Sequence, residues 1–219
     1  MGSLGLFLVV ILFVAHGCGH VRTDKGKAVS DDGEAVLQGE LIIFHAGSLA
    51  VPFRELKSAF RELNPEVEIK LEAGGSVANA RKVIDLGRPC DIMAVSDYKV
   101  IDEMLIPGYA TWNIKFAANE MVIVYTPQSA YHEMLDSLNW YSVLSRQDVR
   151  YARSDPNQDP CGYRTVLTLK LAGEYYGKPV LADLLLSKDN AYIRPKEVDL
   201  LALLETGVVT VQKHLLTFI

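Results

Sequence analysis

The pattern of hydrophobic and polar positions alternates between strand and helix from residue 40 onward. Glu40 to His45 is a short apolar run that predicts a buried strand. The segment after this strand ends at Asn64-Pro65. From Val67 to Leu71, apolar residues alternate with charged ones, which predicts a second strand. Between the two strands, apolar residues recur at spacings of three and four, which predicts a helix with one buried stripe. The stripe consists of Leu49, Phe53, Leu56, Phe60 and Leu63.

A second strand-to-helix unit follows the first. Gly74-Gly75-Ser76 opens a predicted helix from Val77 to Leu86, and Asp91 to Val95 is the next predicted strand. A further helix is expected over Tyr98 to Leu105, before Pro107-Gly108. Strands and helices in this order imply right-handed crossovers and a parallel sheet covered by helices. The fold class predicted from the pattern is therefore α/β.

The pattern weakens after residue 105 and then recovers. Met121 to Tyr125 predicts a buried strand, and the Thr126-Pro127 pair after it predicts the point where the chain enters a second lobe. The lobes are thus expected over residues 40–125 and 126–207. Further elements are predicted as weak helices over 131–137 and 140–144, a strand over 149–152, a strong helix over 160–176, one or two helical turns over 181–186 and a helix over 195–205.

The N-terminus reads as a targeting segment. Leu4 to Ala15 is an uncharged apolar run, shorter than the about 20 residues that a membrane-spanning helix needs. Its length predicts the core of a secretion signal over residues 1–18. Gly17 before Cys18 resembles a lipoprotein processing site, which makes Cys18 the candidate lipid attachment and membrane anchor. Plain secretion, lipidation, and a start-site artefact followed by a buried strand stay open. Residues 19–39 are polar and aperiodic, which predicts a flexible tether.

Composition narrows the function classes. The chain of 219 residues is 49% hydrophobic and 22% charged, as in a folded globular protein. A net charge of -5 without any basic run argues against a nucleic-acid partner. Three cysteines without a C-x-x-C spacing argue against a disulfide framework and a thiolate zinc site.

Polar loops open the predicted helices. Gly47-Ser48 and Gly75-Ser76 follow two neighbouring strands, whose carboxyl ends meet at one edge of a parallel sheet, where α/β folds bind ligands. The plainer interpretation is a turn and a cap, with Ser76 as N-cap. Asp159 before Pro160 likewise predicts an N-cap with proline at the first helical position. Glu197 is expected in the first turn of the last helix, complementing its dipole. These residues define candidate anion sites and no more.

Four segments carry a resemblance to a known family. They are HAGSL (45–49), AGGSVANARK (73–82), CDIMAVSDY (90–98) and RSDPNQDPCGYR (153–164). Together they resemble the archaeal-type molybdate/tungstate-binding proteins, the solute-binding components of ABC transporters, from about residue 41 to residue 207. The resemblance implies a type II periplasmic-binding-protein fold, in which two α/β lobes close on an oxyanion. It also implies an extracytoplasmic, monomeric receptor with a permease and an ATPase as partners, no catalysis and no resident cofactor.

The resemblance also implies a set of ligand-binding residues. In the first lobe they are Gly47, Ser48 and Ser76, and in the second Asp159, Pro160, Cys161 through its backbone N–H, and Glu197. Two carboxylates beside a dianion are unexpected, because like charges 4 Å apart repel by about 4 kcal/mol at an effective dielectric near 20. The family resolves this by bonding the carboxylate oxygens of Asp159 and Glu197 to the hexavalent metal, a hard centre that suits oxygen ligands. Sulfate and phosphate offer no such centre.

Other interpretations stay open. The first is a receptor for sulfate, thiosulfate or phosphate, and the second is an enzyme with Ser48 as nucleophile and His45 or a distant carboxylate as base. The third is a nonfunctional fragment, because the resemblance stops after Gly207 and Leu215 stands where the family has a tyrosine that contacts the ligand. Residues 208–219 are therefore expected to be a divergent tail on an incomplete first lobe. We expect such a chain to expose apolar surface and a sheet edge, and to bind its ligand weakly or not at all.

Overall fold

The computed structural model describes residues 28–29, 35–188, 192–208 and 211–214. The predicted signal segment, Cys18 and Leu215 lie outside the described residues. Within them, no helix is both long and apolar enough to cross a bilayer.

The first described elements lie in the stretch predicted as a tether. Strand β1 (Ala28–Val29) pairs antiparallel with β2 (Ala35–Val36), and β3 begins directly afterwards at Gly39. The expectation of an aperiodic tether over 19–39 is therefore wrong for these residues. Both short strands contain valine, whose branched side chain favours extended backbone.

The first lobe is built on a three-stranded parallel sheet. Strand β3 (Gly39–Ala46) lies between β4 (Val67–Gly74) and β5 (Ile92–Ala94). A 3-10 turn (Gly47–Leu49) leads from β3 into α1 (Ala50–Leu63), α2 (Ser76–Ile84) follows β4, and a π-helical turn (Ile101–Leu105) stands where a regular helix is predicted. The π-helical turn and α2 share a small core that contains Ala80, Val100, Ile101 and Leu105.

Helix α1 forms where the periodicity predicts it, but its apolar stripe is not buried. Leu49 is buried in the turn before the helix, whereas Leu56 and Leu63 are 60% and 79% exposed and Phe60 is 38% exposed. No residue of α1 is buried. The predicted buried stripe is therefore wrong beyond the first turn, because the described part of the chain places nothing over this face.

The second lobe contains a four-stranded mixed sheet in the order β6-β9-β7-β8. The strands are β6 (Val122–Val124), β7 (Tyr151–Ser154), β8 (Ile193–Arg194) and β9 (Val211–His214). Strand β7 is parallel to both neighbours, and β6 pairs antiparallel with β9. The helices are α3 (Trp140–Ser145), α4 (Pro160–Tyr175), α5 (Leu181–Leu186) and α6 (Asp199–Glu205).

The core of this lobe lies between β7 and helices α3, α4 and α5. Leu144, Leu169 and Leu185 are fully buried there, together with Tyr151. The Tyr151 hydroxyl donates a hydrogen bond to the Leu185 carbonyl, so the one polar atom of this large buried side chain is satisfied. The expected helix over 131–137 is reduced to a 3-10 turn, His132–Met134.

Both boundaries of the second lobe differ from the predicted ones. Strand β6 belongs to the second sheet, so the change of sheet falls between β5 and β6 rather than after residue 125. Strand β9 lies in the predicted divergent tail and pairs with two strands of the same sheet. Neither the three apolar residues of β6 nor the four mostly polar residues of β9 carry a signal that tells which sheet the strand joins.

The last predicted helix begins later than expected. The sequence predicts it from Pro195, but Ile193 and Arg194 form β8 and α6 starts at Asp199. Glu197 therefore lies in the turn between β8 and α6 and not in the first helical turn.

Candidate functional site

Two sheet edges bring four loops together. In the first sheet, Ala46 at the end of β3 is in register with Gly74 at the end of β4, so the loops that open with Gly47 and Gly75 are neighbours, as the sequence predicts. In the second sheet, Ser154 at the end of β7 is in register with Arg194 at the end of β8. Each pair of loops therefore leaves the carboxyl edge of parallel strands, where helix N-termini offer unpaired N–H groups.

The first-lobe loops contact the second-lobe loops directly. The backbone N–H of Ser48 donates a hydrogen bond to Glu197 Oε1, and the Ala78 N–H donates to the Gln158 carbonyl at 3.1 Å. A Cβ atom at Gly75 would overlap the Gln158 carbonyl oxygen and come within 2.9 Å of the Pro195 carbonyl oxygen. Glycine is required there because two backbones of the other lobe approach it closely.

Gly47 is packed against the turn that holds Glu197. A Cβ atom at this position would lie 3.0 Å from a methyl carbon of Val198 and 3.1 Å from Glu197 Oε1. The absence of a side chain at Gly47 thus lets the Ser48 N–H reach the carboxylate.

Asp159 and Glu197 form a buried acidic pair. Their side chains interact directly, and the residues are 1% and 4% exposed. Burial, followed by the nearby Glu197 charge, raises the pKa of Asp159 to about 8, although Ser154 and the Cys161 N–H favour its ionised form. Burial also raises the pKa of Glu197, against the hydrogen bond from Ser48. At neutral pH the pair therefore retains a proton.

Unsatisfied polar atoms converge on this pair. Among the described residues, seven buried side-chain oxygen or nitrogen atoms lack a hydrogen-bond partner, and five of them belong to Ser48, Ser154, Asp159 and Glu197. Each such atom costs about 1–3 kcal/mol, and native proteins contain few of them. Buried oxygen atoms without hydrogen-bond partners, on four neighbouring residues from both lobes, are typical of a binding site.

The other predicted site residues lie around this cluster. Pro160 is the first residue of α4, and Cys161, fully buried, is the second, with its N–H acting on Asp159. Asp159 occupies the N-cap position with Pro160 at the start of α4, as the sequence predicts, although its side chain makes no capping hydrogen bond. Both of its carboxyl oxygen atoms are buried without a hydrogen-bond partner of normal geometry.

Ser76 also differs from its predicted role. Gly75 is the N-cap of α2 and Ser76 its first residue, so the expectation of Ser76 as N-cap is wrong. The Ser76 hydroxyl accepts a hydrogen bond from the Ser96 N–H at 3.1 Å and lies 3.2 Å from the Ser96 hydroxyl. Ser76 is completely buried, and its oxygen joins the loops after β4 and β5.

The rival enzyme interpretation requires a base at the Ser48 hydroxyl. The Ser48 Oγ atom has no hydrogen-bond partner among the described residues. The His45 ring donates through Nδ1 to the Ala46 carbonyl at 2.8 Å and stacks on Phe53. Burial lowers the pKa of His45. The structure therefore does not pair Ser48 with His45, and the carboxyl group nearest to the Ser48 side chain is that of Glu197.

Sequence reasoning missed three participants: Ser96, Asp97 and Ser154. Ser154 ends β7, is completely buried, and contributes an unpartnered hydroxyl beside Asp159. A signal was present, because a serine at the carboxyl end of a parallel strand occupies the same position as Ser48 after β3. Asp97 carries inter-lobe contacts that are described below.

The chemistry of the cluster points to an oxygen-rich ligand with an oxophilic centre. The described residues contain no group of three or more His, Cys, Asp or Glu side chains arranged to hold a metal ion. Two carboxylates, two serine hydroxyls and the N-terminus of α4 instead combine acceptors with donors. Donors can hold the oxygen atoms of an anion, while carboxylate oxygens, once ionised, suit a positive or metallic centre.

The structure defines a two-lobe α/β fold with a buried polar cluster between the lobes. Solved structures with this fold include the sulfate-binding protein SubI from Mycobacterium tuberculosis, with a TM-score of 0.60 and 15% identity over 80% of this chain and 64% of that chain. The periplasmic molybdate-binding protein of Azotobacter vinelandii also has a TM-score of 0.60, with 17% identity over 78% of this chain and 69% of that one. At these identities the similarity concerns the fold alone.

Sequence comparison identifies the family. The family model of bacterial extracellular solute-binding proteins matches residues 41–212, and the chain belongs to this family. The match includes Val211 and Gln212 of β9, beyond the point at which the family resemblance was expected to stop.

Two relatives illustrate the similarity. An uncharacterized solute-binding protein of Petrotoga mobilis is 49% identical over 174 residues, covering 78% of this chain and 54% of the relative. The molybdate/tungstate-binding protein WtpA of Pyrococcus abyssi is 42% identical over 233 aligned positions, covering 94% of this chain and 65% of the relative. The chain thus spans between half and two thirds of the length of these relatives.

Proposed function

We propose that this protein binds tungstate or molybdate outside the cytoplasm, between its two lobes, and delivers the oxyanion to an ABC importer. The observation that carries the proposal is the buried pair of Asp159 and Glu197, whose unpartnered oxygen atoms share one cluster with the hydroxyls of Ser48 and Ser154. The similarity to proteins named for molybdate and tungstate supports the choice of ligand.

The acidic pair selects the metal oxyanions over other dianions. An ionised carboxylate beside sulfate or phosphate is repelled, by about 4 kcal/mol per pair of unit charges 4 Å apart at an effective dielectric near 20. Beside tungstate or molybdate, the oxygen atoms of Asp159 and Glu197 bond to the metal centre. Selectivity then arises from ligation of one class of anion and repulsion of the other.

The remaining site residues position the oxyanion. Ser48 and Ser154 donate hydroxyl hydrogen bonds to its oxygen atoms, and the Cys161 N–H acts from the N-terminus of α4, whose dipole favours negative charge. Gly47 gives the loop its close approach, and Pro160 sets the first turn of α4. Ser76 supports this arrangement through its bonds to Ser96.

The partners follow from the proposed activity. A receptor of this kind releases its cargo to a membrane permease driven by an ATPase, as a monomer, and requires no cofactor of its own. Lipidation at Cys18 would hold it at the membrane, and intact-mass measurement of the membrane fraction tests this: an unmodified Cys18 contradicts it.

Isothermal titration calorimetry with tungstate, molybdate and sulfate tests the function. We expect heat and a saturable isotherm for the two metal oxyanions and none for sulfate at the same concentrations. Binding of sulfate with equal affinity would contradict the proposal and favour the general oxyanion receptor. The expectation from the sequence that this chain binds its ligand weakly or not at all stays a prediction, which a parallel titration of the Pyrococcus abyssi protein checks.

A further inference from the structure

A second set of contacts joins the two lobes away from the acidic pair. Asp97 follows β5 in the first lobe and is 7% exposed. Its Oδ2 atom accepts a hydrogen bond from the Tyr163 hydroxyl at 2.7 Å and forms an ion pair with Arg164 Nη2 at 3.0 Å. Tyr163 and Arg164 lie in the first turns of α4, in the second lobe.

The same guanidinium also reaches the segment that connects the two sheets. Arg164 Nη1 donates to Asn119 Oδ1 at 2.7 Å, and Asn119 Nδ2 donates to the Ser96 carbonyl at 2.8 Å. Asn119 lies between β5 and β6, where the chain passes from one lobe to the other. Arg164 therefore holds the first lobe and the connecting segment at once.

These contacts are continuous with the ligand cluster on both sides. On α4, Tyr163 and Arg164 come directly after Asp159, Pro160, Cys161 and Gly162. In the first lobe, Asp97 follows Ser96, which is bonded to Ser76. A change in the distance between Asp97 and α4 therefore changes the distance between the ligand loops of the two lobes.

The charge on Asp97 is suited to a contact that opens and closes. Tyr163, Arg164 and the Lys99 N–H keep the pKa of Asp97 below its usual range in spite of burial, so the carboxylate is ionised. Asp97 is buried, whereas the Arg164 side chain is 30% exposed, so opening hydrates the arginine easily but costs energy wherever the carboxylate stays buried without its charged partner. The pair thus favours two arrangements, fully closed or opened to water, over intermediate ones.

We infer that Asp97, Tyr163 and Arg164 form an inter-lobe clasp, a set of positioning residues that holds the lobes closed over the ligand without touching it. This inference rests on the proposed function for its ligand, but the clasp itself is defined by contacts between the lobes. Loss of the clasp is expected to speed opening and ligand release while each lobe remains folded.

The chain contains a matched control for this experiment. Within the second lobe, Asp148 accepts a hydrogen bond from the Tyr131 hydroxyl and pairs with Arg146 at 3.5 Å. This trio has the same three residue types as the clasp but joins no two lobes. Arg146→Met therefore removes a more exposed arginine that pairs with the same residue types, 47% exposed against 30% for Arg164, and leaves the inter-lobe contacts intact.

Hydrogen exchange measured by NMR on the full chain tests the clasp directly. The N–H groups of Ser48 and Ala78 are bonded across the lobes, so their exchange reports opening. We expect Arg164→Met to speed exchange at both amides by about tenfold or more, with core amides such as those of Leu144 and Leu169 unchanged, since breaking one partner of a buried pair is costly. Arg164→Lys should restore part of the protection, and Tyr163→Phe, which keeps the ion pair, should give a smaller effect of the same kind.

The tungstate dissociation rate provides the second readout. It should rise in Arg164→Met and stay at the wild-type value in Arg146→Met. Wild-type exchange rates at Ser48 and Ala78 in Arg164→Met would overturn the clasp. Faster exchange over the whole chain would overturn it too, because that result marks a purely structural role for Arg164. If the wild-type chain does not bind tungstate, the proposed function fails, while the exchange rates still decide the clasp.

Discussion

The backbone N–H of Ser48 donates a hydrogen bond to the carboxylate of Glu197, 149 positions later in the chain. This bond joins the loop after β3 to the turn before α6, and so joins the two lobes at the ligand cluster. It also fixes one oxygen of Glu197 and leaves the other, Oε2, without a partner. The consequences of this arrangement can be measured.

The first prediction concerns the acidic pair. Asp159→Ala and Glu197→Ala should each lower tungstate affinity by about 2–5 kcal/mol, the usual cost of removing one buried charged partner. Above about pH 8, where the wild-type pair is ionised and repels sulfate, both variants should discriminate less well against sulfate. Calorimetry with both anions measures this. Asp183→Ala and Glu205→Ala, at exposed positions of α5 and α6, are the controls, and equal tungstate affinity in all five proteins contradicts the ligation role.

The second prediction separates the serine hydroxyls from the carboxylates. Ser48→Ala and Ser154→Ala should weaken tungstate binding by about 1–3 kcal/mol each, the cost of one lost hydrogen bond in a buried site. Ser154→Ala should at the same time cost the ligand-free protein little stability, because its buried hydroxyl makes no hydrogen bond of normal geometry and acts only on the neighbouring Asp159 carboxyl. Thermal melting checks the stability, with Ser58→Ala on the exposed face of α1 as control. A lower melting temperature for Ser154→Ala would show that its hydroxyl is satisfied in the ligand-free state.

The third prediction is a dependence of stability on pH. The pKa of Asp159 is about 8 in the folded protein and 3.8 in its ordinary range. Between these values the folded state keeps a proton that the unfolded chain releases, so the contribution of Asp159 to the free energy of unfolding falls as pH rises from about 4 to about 8. Urea unfolding at several pH values measures this.

Other acids also make stability depend on pH: the pKa values of Asp97 and Asp155 are lowered, so these residues change stability with the opposite sign at lower pH. Comparing wild type with Asp159→Asn separates the contribution of Asp159 from theirs. The asparagine variant should gain stability relative to wild type as pH rises. A constant difference between the two proteins over this range would show that Asp159 is not buried as the structure has it.

The fourth prediction tests the close approach of the lobes. A methyl group at Gly75 would overlap the Gln158 carbonyl oxygen, so Gly75→Ala should hold the lobes apart and weaken tungstate binding. The melting temperature of the ligand-free protein should stay close to the wild-type value, because each lobe keeps its own core. Gly108→Ala is the control, since a Cβ atom there meets nothing within 4 Å. Identical affinities in the two variants would indicate that the lobes do not close along Gly75.

The fifth prediction concerns the exposed stripe of α1. Leu56 and Leu63 are more than half exposed, and such contiguous apolar surface promotes association. Leu56→Lys with Leu63→Lys should reduce concentration-dependent aggregation in light scattering and leave the melting temperature within about 1 °C, because surface substitutions are usually near neutral. A large loss of stability would mean that the stripe is covered in solution.

The sequence predicts the parts of this fold that are set by local rules. Alternation and helical periodicity locate β3, α1, β4 and α4, and the proline at position 160 marks the start of α4 correctly. The glycine-serine loops after β3 and β4 follow from strand order alone, because neighbouring parallel strands end at the same edge.

The remainder depends on contacts between distant segments. Periodicity shows that α1 is amphipathic but not whether another element covers it, so the expected exposure of apolar surface could not be located at Leu63. Two-residue β8 is too short to give a pattern, and its presence moves Glu197 from a helix into a turn. Likewise, the pairing of Asp97 with Arg164 joins positions 67 apart in the sequence, and no local signal connects them.

The central claim is that Asp159 and Glu197 bond to the metal of the bound oxyanion. X-ray absorption at the tungsten edge of the protein–tungstate complex measures this most directly. We predict about six oxygen neighbours around tungsten, two more than in free tungstate, with the number reduced in Asp159→Ala, as expected for added hard-oxygen ligands. Four neighbours at the distances of the free oxyanion, in a complex that forms with full affinity, would contradict the account.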